Sequence, residues 1–465
     1  MNSRRRLGLL AVAVALNVCV ALAQESAAPA RIAIKAGRLL DGSTNPAIEN
    51  AVIIVAGDRI EAVGPAASVR IPAGIRVIDL SSDTVLPGLI NGHDHPTIRA
   101  FTGIENARRE GRNSLLQQLD EMAEPTQIQA ARGVRDLRVD LLCGVTTEYV
   151  VGEVKFNDVY LKKLADAGVF PSPRLYLSGP WLMPTGGYDP ITPTDGPWEM
   201  RRFIRKNVEA GAHHIKMVVN NGGMASGPSA GRPFANTSWS KEEMEAAVDE
   251  AHRLGVKVTV HAGDVASEKL ALEAGADSIQ HASSLTPEIM DLFVQKKASI
   301  VSTYAAGLQG YFTPKDFAYL DTEANSAADW IGRARALIER VRRENPRGFG
   351  NRTMQDRLQE RYAQLRTARD RGIPIAVGTD NMQGLLHIDI YHLVDAGFTP
   401  IQAISAATGT GAKALGIDQE VGTLEKGKFA DIISVRGRPD QNIYDLEKVN
   451  FVMVGGRNFT GLSFR

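Results

Sequence analysis

Between residues 86 and 379 the chain repeats one pattern. A short apolar run ends in polar residues, and a stretch with amphipathic helical spacing follows. Such runs lie at 86–92, 145–150, 174–178, 214–219, 257–261, 277–281, 299–303 and 374–379. The clearest intervening helix covers Lys241 to Leu254, where Met244, Ala247, Val248, Ala251 and Leu254 fall on one face. Strands that alternate with helices build parallel α/β sheets, and eight units within about 330 residues predict a (β/α)8 TIM barrel.

The two ends differ from this middle. Ile32 to Lys35, Ala51 to Val55, Ile60 to Val63 and Val77 to Asp79 are β-rich pieces, punctuated by Gly57-Asp58 and Gly64-Pro65. Ala430 to Val435 and Val449 to Val454 have the same character before Gly455-Gly456. A chain that leaves one small β-domain and returns to it has this order. Residues 31–84 and 419–465 are therefore expected to form a composite β-sandwich beside a barrel at 85–418. The charged helical stretch from Gly307 to Asp370 carries Tyr311, Phe312, Phe317, Tyr319 and Trp330 near its start. It reads either as a lid or as an elaborated barrel helix.

Met1 to Arg6 is basic, Leu7 to Ala23 is apolar apart from Asn17, and Ala21-Leu22-Ala23 fits a small-x-small cleavage site. Residues 1–23 thus read as an export signal. The apolar run of about 17 residues is at the short limit for a membrane span, so no lasting membrane anchor is expected. Ser3-Arg4-Arg5 resembles a twin-arginine signal, although Leu7 stands where such signals prefer Phe. The expected destination is the periplasm or the exterior. Of two cysteines, Cys19 lies in the signal, which leaves Cys143 without an intramolecular partner and expected to be buried. Lys plus Arg and Asp plus Glu are equal at 53 each, with no basic stripe, which argues against nucleic acid as a partner.

Barrel enzymes place their chemistry at the C-terminal strand ends. Here the first strand ends in His93-Asp94-His95, the fourth carries Lys216, and the fifth and sixth end at His261 and His281. The eighth ends at Asp380. Alternation along a strand projects His93 and His95 to the same side. Imidazole and carboxylate together suit Zn²⁺, Mn²⁺, Fe²⁺ or Co²⁺.

Val85-Leu86-Pro87-Gly88-Leu89-Ile90-Asn91-Gly92-His93-Asp94-His95 resembles the PGLIDxHxH signature of the amidohydrolase superfamily, with Asn91 for the usual Asp. Gly144-Val145-Thr146-Thr147, His214-Ile215-Lys216, Val260-His261-Ala262, Ser278-Ile279-Gln280-His281 and Gly378-Thr379-Asp380 match further motifs. The stretch from Gly422 to Asp431 resembles the family's return into its β-domain. The resemblance implies two divalent metal ions, with Zn²⁺ favoured by a histidine-rich ligand set. His93, His95 and Asp380 would hold the α metal, and His261 and His281 the β metal. Lys216, carboxylated to N6-carboxylysine, would bridge them. A bridging hydroxide would attack the substrate carbonyl, with Asp380 as general base.

Gly211 to Gly223, Lys241-Glu242-Glu243, Ala251-His252, Ser178-Gly179-Pro180 and Thr185-Gly186-Gly187 look most like exported Xaa-Pro dipeptidase and carboxypeptidase-type members, a subgroup that includes hydrolases of N-acyl amino acids and amide-linked toxins. The implied substrate is a small molecule or short peptide with a scissile amide. Two departures bear on specificity. Tyr188 follows Gly187 where the subgroup has His, and Thr147-Glu148-Tyr149-Val150 replaces Thr-Val-Arg-Asp. Tyr188 and Tyr149 read either as substrate contacts or as packing residues. His214, two positions before Lys216, is expected to line the site. His387 reads as a substrate contact or a second-layer residue, and His392 as structural. His213 is expected to face the helices and His252 the solvent. A deaminase usually carries His-x-x-Glu after the fifth strand, whereas this chain has His261-Ala262-Gly263-Asp264. Ester, lactone or phosphotriester hydrolysis suits the same centre. A non-catalytic binding relative would have lost ligands, and all six are present. Relatives often assemble through barrel helices, so a homo-oligomer is an analogy-based expectation.

Overall fold

Strands from both ends of the chain enter one sheet. The computed structural model describes residues 30–98, 124–185, 194–219, 239–308, 325–344, 353–380 and 382–462. The expected export signal lies outside these, as do Tyr188, Tyr311, Phe312, Phe317 and Tyr319. Strands β1 (Arg31–Leu39), β2 (Ile48–Ala56), β3 (Arg59–Pro65) and β4 (Arg76–Pro87) come from the N-terminal part. Strands β13 (Ile432–Val435), β14 (Val449–Val454) and β15 (Arg457–Asn458) come from the C-terminal part. The order is β15-β14-β13-β4-β1-β2-β3. On one face Ile34, Ile53, Val55, Ile60, Val85, Ile432 and Met453 form a buried cluster. On the other, Ala33, Val52 and Ile54 pack against Val69, Ile71 and Ile75.

Where the sequence predicts a composite sandwich, the two chain ends share one continuous hydrogen-bonded sheet among the described residues. The reason is β4, which pairs with β1 in parallel on one side and with β13 antiparallel on the other. It also absorbs Leu86 and Pro87, which the sequence reading gave to the first barrel strand. Gly88 separates β4 from the next strand. A Cβ there would lie 1.9 Å from Thr146 Oγ1, so only glycine permits the approach.

The middle of the chain is mixed α/β. Strands β5 (Leu89–Asp94), β6 (Val145–Val150) and β7 (Arg174–Tyr176) form a parallel sheet of three. Strands β8 (His214–Val218), β9 (Lys257–His261), β10 (Ser278–Gln280), β11 (Ser299–Ser302) and β12 (Ile375–Val377) form a parallel sheet of five. Each expected run therefore holds a strand. Single bridges join the two sheets at both edges. Leu182 N donates to Lys216 O at 2.9 Å, and Asp380 N donates to His93 O at 2.8 Å while His95 N donates to Asp380 O at 3.0 Å.

Helices α1 (Thr126–Leu142), α2 (Asn157–Asp166), α3 (Pro197–Ala210), α4 (Lys241–Arg253), α5 (Val265–Ala274), α6 (Pro287–Lys296), α7 (Tyr304–Leu308), α8 (Ala327–Glu344), α9 (Met354–Asp370), α10 (Leu386–Asp395), α11 (Pro400–Ala406) and α12 (Gly409–Leu415) complete the described elements. Ser240 and Glu243 form a reciprocal capping box on α4. Asp264 and Ser267 do the same on α5, only three residues after His261. Each cap is worth about 1 kcal/mol and fixes where the preceding loop ends. Helix α8 buries Trp330, Ile331, Leu337 and Val341 in the main core, and α9 buries Leu358 and Leu365. The described part of the charged stretch is therefore packed structure, not a detached lid. Cys143 is buried and free, as expected. Among the described residues no helix is long and apolar enough to cross a membrane.

Candidate metal centre

Side chains from five different strands, four of them at or just past a strand end, converge on one point. His93 is the penultimate residue of β5, with His95 just beyond its end, and Lys216 sits mid-strand in β8. His261 is the last residue of β9, His281 follows β10, and Asp380 lies three residues past β12. His93 Nε2 is 3.3 Å from His95 Nε2, and each is 3.6 Å from Asp380 Oδ1. The His281 ring centroid is 4.8 Å from that of His93 and 4.6 Å from that of His261. Lys216 is 2% exposed, and its charge acts on His93, His95, His261, His281 and Asp380.

Burial lowers His95 and His261 to about 3, and takes His93 and His281 well below the usual imidazole range. All four rings are thus neutral and offer lone pairs. Burial also pushes the Lys216 ammonium down to about 7, against the pull of Asp380. Asp380 is raised by burial to about 6, against Lys216.

The far sides of the rings are engaged. His93 Nδ1 meets Gln280 Oε1 at 2.6 Å and His95 Nδ1 meets Gly152 O at 2.7 Å. Both oxygens are acceptors, so each Nδ1 carries the proton and each Nε2 is bare. His281 Nδ1 pairs with Thr303 Oγ1 at 2.6 Å. Such outer bonds orient metal-binding imidazoles. Two bare Nε2 atoms facing each other at 3.3 Å repel unless a cation lies against both. Tetrahedral Zn–N bonds of about 2.0–2.1 Å place two imidazole nitrogens about 3.3 Å apart. His261 Nε2 is also buried without a hydrogen-bond partner, a costly state that a metal would relieve. The residues fit a metal centre. His281 and Asp380 hold φ of 67° and 65°, a strained conformation that recurs at functional sites.

The sequence profile of the amidohydrolase family matches residues 84–459. The chain belongs to the amidohydrolase family. Ochratoxinase of Aspergillus niger is 26% identical over 292 residues, which cover 59% of this chain and 52% of that protein. This amidohydrolase thus spans about half the length of the first curated relatives it matches. A 5-methylthioadenosine/S-adenosylhomocysteine deaminase of Moorella thermoacetica is 24% identical over 410 residues, 84% of this chain and 82% of that one. A solved Xaa-Pro dipeptidase with bound methionine superposes with a TM-score of 0.71 at 24% identity, covering 93% of this chain and 100% of that one. That likeness speaks for the fold.

The remaining candidates lie elsewhere in this amidohydrolase. Tyr149 and His214 stack on each other at 3.7 Å with an interplanar angle of 11°. Both are buried, and Tyr149 packs with Ile90, Tyr176, Val301 and Ala376. Tyr149, read as a substrate contact or a packing residue, and His214, expected to line the site, thus pack against each other in the interior. His387, read as a substrate contact or a second-layer residue, is buried on α10 beside the backbone of Leu446. His392 stacks on Tyr304 at 3.5 Å, in keeping with a structural role. His252 is bonded to Asp277 on the surface, and His213 Nδ1 accepts from Leu177 N at 3.1 Å. Sequence reasoning missed Gln280, Thr303 and Trp181, whose ring meets that of His95 edge-on at 5.7 Å.

It also missed a buried acidic triad. Asp94 lies between His93 and His95 and so projects from the opposite face of β5. Its carboxyl lies within 4.8 Å of those of Asp140 on α1 and Glu148 on β6. Gln383 Nε2 donates to Asp94 Oδ1 at 3.1 Å and Gly384 N to Asp140 Oδ1 at 2.6 Å, while neither Glu148 oxygen has a hydrogen-bond partner. Burial, together with repulsion from neighbouring carboxylates, pushes Asp140 and Glu148 well above the usual carboxylate range. A folded-state pKa raised above the unfolded value means that stability falls as pH rises through neutrality. Glu148→Gln is therefore expected to stabilise the fold by on the order of 1–3 kcal/mol at pH 8 and by less at pH 5. Urea unfolding at both pH values measures this. A loss of stability instead would mean that a bound cation neutralises the triad.

Proposed function

We propose that this amidohydrolase is an exported, binuclear metal-dependent hydrolase that cleaves an amide bond in a dipeptide, an N-acyl amino acid or a related small amide. The observation that carries the reading is the pair of bare Nε2 atoms on His93 and His95, 3.3 Å apart and both 3.6 Å from Asp380 Oδ1. His93, His95 and Asp380 would hold one ion, and His261 and His281 the other. Lys216 would hold both. An amine brought down to about 7 by burial is readily neutral, the form that adds CO₂. The N–C bond forms, a proton leaves, and the product is a carbamate whose two oxygens share one negative charge. Two divalent cations, Zn²⁺ by ligand preference, would supply acidified water and polarisation of the scissile carbonyl.

The chain's own residues do the rest. Asp380 is held by backbone bonds to both His93 and His95, and its Oδ1 lies 3.6 Å from each Nε2 atom. It takes the proton of the attacking water and returns it to the leaving amine. Gln280 and Gly152 hold the His93 and His95 rings in one tautomer. The Trp181 ring, packed with Ile98, Val154, Met183 and Val218, excludes water from the side of His95.

Bridging of the two parallel sheets at both edges supports a single (β/α)8 barrel at about 85–418 with a β-domain from residues 31–84 and 419–465. The names of ochratoxinase and Xaa-Pro dipeptidase among its likenesses support an amide substrate. The deaminase relative favours a second reading, deamination. Against it, Asp264, where a deaminase would have its Glu, accepts from Ser267 N as the cap of α5. The test is a mass-spectrometric hydrolysis panel on mature, Zn²⁺-loaded protein with bicarbonate. It covers Xaa-Pro and Xaa-Arg dipeptides, N-acyl amino acids, aryl amides, lactones, phosphotriesters and nucleobases. Release of a C-terminal amino acid is expected. Turnover confined to esters, phosphotriesters or nucleobases would overturn the substrate class.

A further inference from the structure

The turn that carries His281 is gripped by two charged side chains on different helices. His281 and Ala282 occupy the left-handed region in succession, at φ of 67° and 45°. Residues with a Cβ resist that conformation, and neither position is glycine. The carbonyls on this turn accept from Arg361 of α9. Nη2 donates to His281 O at 2.7 Å, and Nη1 donates to Ala282 O. On the other side of the turn, Ser284 N donates at 2.9 Å to Glu268 Oε1 of α5. Burial raises the Glu268 carboxyl to about 7 and lowers the Arg361 guanidinium to about 10, each against the attraction of the other.

The chemistry of each partner matches what the turn presents. A guanidinium is a planar fork of donors that reaches two adjacent carbonyls at once, which an ammonium cannot do with the same geometry. A carboxylate only accepts, and the far end of the turn offers amides. Thr303 bonds the His281 ring and so fixes its rotation. The Arg361 and Glu268 bonds act one level further back, on the backbone from which the ring projects. Were φ at His281 to relax to a negative value, the Cα–Cβ bond would swing and the ring would leave its place beside His93 and His261.

We propose that Arg361 and Glu268 are positioning residues. They hold the turn from His281 to Ser284 in its left-handed form and so aim the His281 imidazole at the metal centre. The proposal rests on the metal-centre reading above. It also gives α9, from the charged stretch that resembled a lid, a part in assembling the site.

The test is chelator competition on purified protein, reading the affinity of each Zn²⁺ site separately, with thermal unfolding of the metal-free protein alongside. Arg361→Ala is expected to weaken one of the two sites by roughly 10–100-fold, the range for outer partners of metal ligands, and to leave the other unchanged. Arg361→Lys should recover only part of that loss. Adding Ala282→Gly to Arg361→Ala should recover affinity as well, because glycine adopts the turn without support. A merely stabilising role would lower the metal-free melting temperature without this site-selective loss or its rescue. If Arg361→Ala does not fold, Arg361→Lys and Glu268→Ala are read for the same selective weakening. Wild-type affinities at both sites in folded variants would overturn the proposal alone. A wild-type chain that binds no metal would overturn the metal-centre reading, and the clamp's role with it.

Discussion

Lys216→Ala is expected to purify without either metal ion and without measurable turnover, and to regain part of both when acetate or propionate is added. The expectation follows from position. Lys216 is almost fully buried in the middle of β8 and acts electrostatically on all five other candidate ligands. Truncation removes the shared ligand and leaves a space the size of the lost side chain, which a short carboxylate can enter to supply two oxygens. Metal analysis and turnover, each with and without added acid, measure the result. The fold should persist, because the neighbours of Lys216 on β8, Ile215 and Met217, remain in the main core. Full activity in this variant would remove Lys216 from the centre.

Asp380→Asn is expected to lower kcat by roughly 10²–10⁴-fold, the usual contribution of a positioned general base. The substitution is mild for the fold. Asn tolerates the left-handed region better than most residues, and Asp380 sits there at φ 65°. The bonds that place residue 380 run from its amide to His93 O and from His95 N to its carbonyl, so they survive the change. The amide cannot accept the water's proton, so the loss falls on the chemical step. Steady-state and single-turnover rates, with melting temperature as control, test it. A rate near that of the wild type would exclude Asp380 as the base.

The two variants bracket what could be read without coordinates. A buried parallel strand is a continuous apolar run, so the strands of the middle region could be located from sequence. The candidate ligands other than Lys216 were visible because they stand where such runs end. Gln280, Thr303 and the Gly152 carbonyl were not, since each becomes relevant only when another strand is brought beside it. Tyr149 and His214 show a different limit. Period-two alternation tells which side chains point into a parallel ring of strands, but not at what depth. Side chains inside such a ring form layers, and only the top layer borders a site. Tyr149 lies in a buried cluster with Ile90, Val301 and Ala376. The boundary at Leu86-Pro87 was hidden for a simpler reason. Strand β4 passes into β5 with only Gly88 between them, so composition changes nowhere.

That continuity orders events in time. The strand bearing His93 is an extension of β4, and β4 is paired to β13, some 350 positions later in the chain: Ser434 Oγ bonds Asp83 Oδ2 at a separation of 351 residues. Ile90 N likewise donates to Ala407 O. The earliest candidate ligands to be synthesised are therefore anchored by some of the latest residues. Contacts so distant in sequence form slowly, because a long loop must close first. A chain still emerging from the ribosome, or crossing a membrane unfolded, would hold His93 and His95 on an unanchored segment. Loading with metal would then be a final event of maturation, completed only after β13 has joined the sheet.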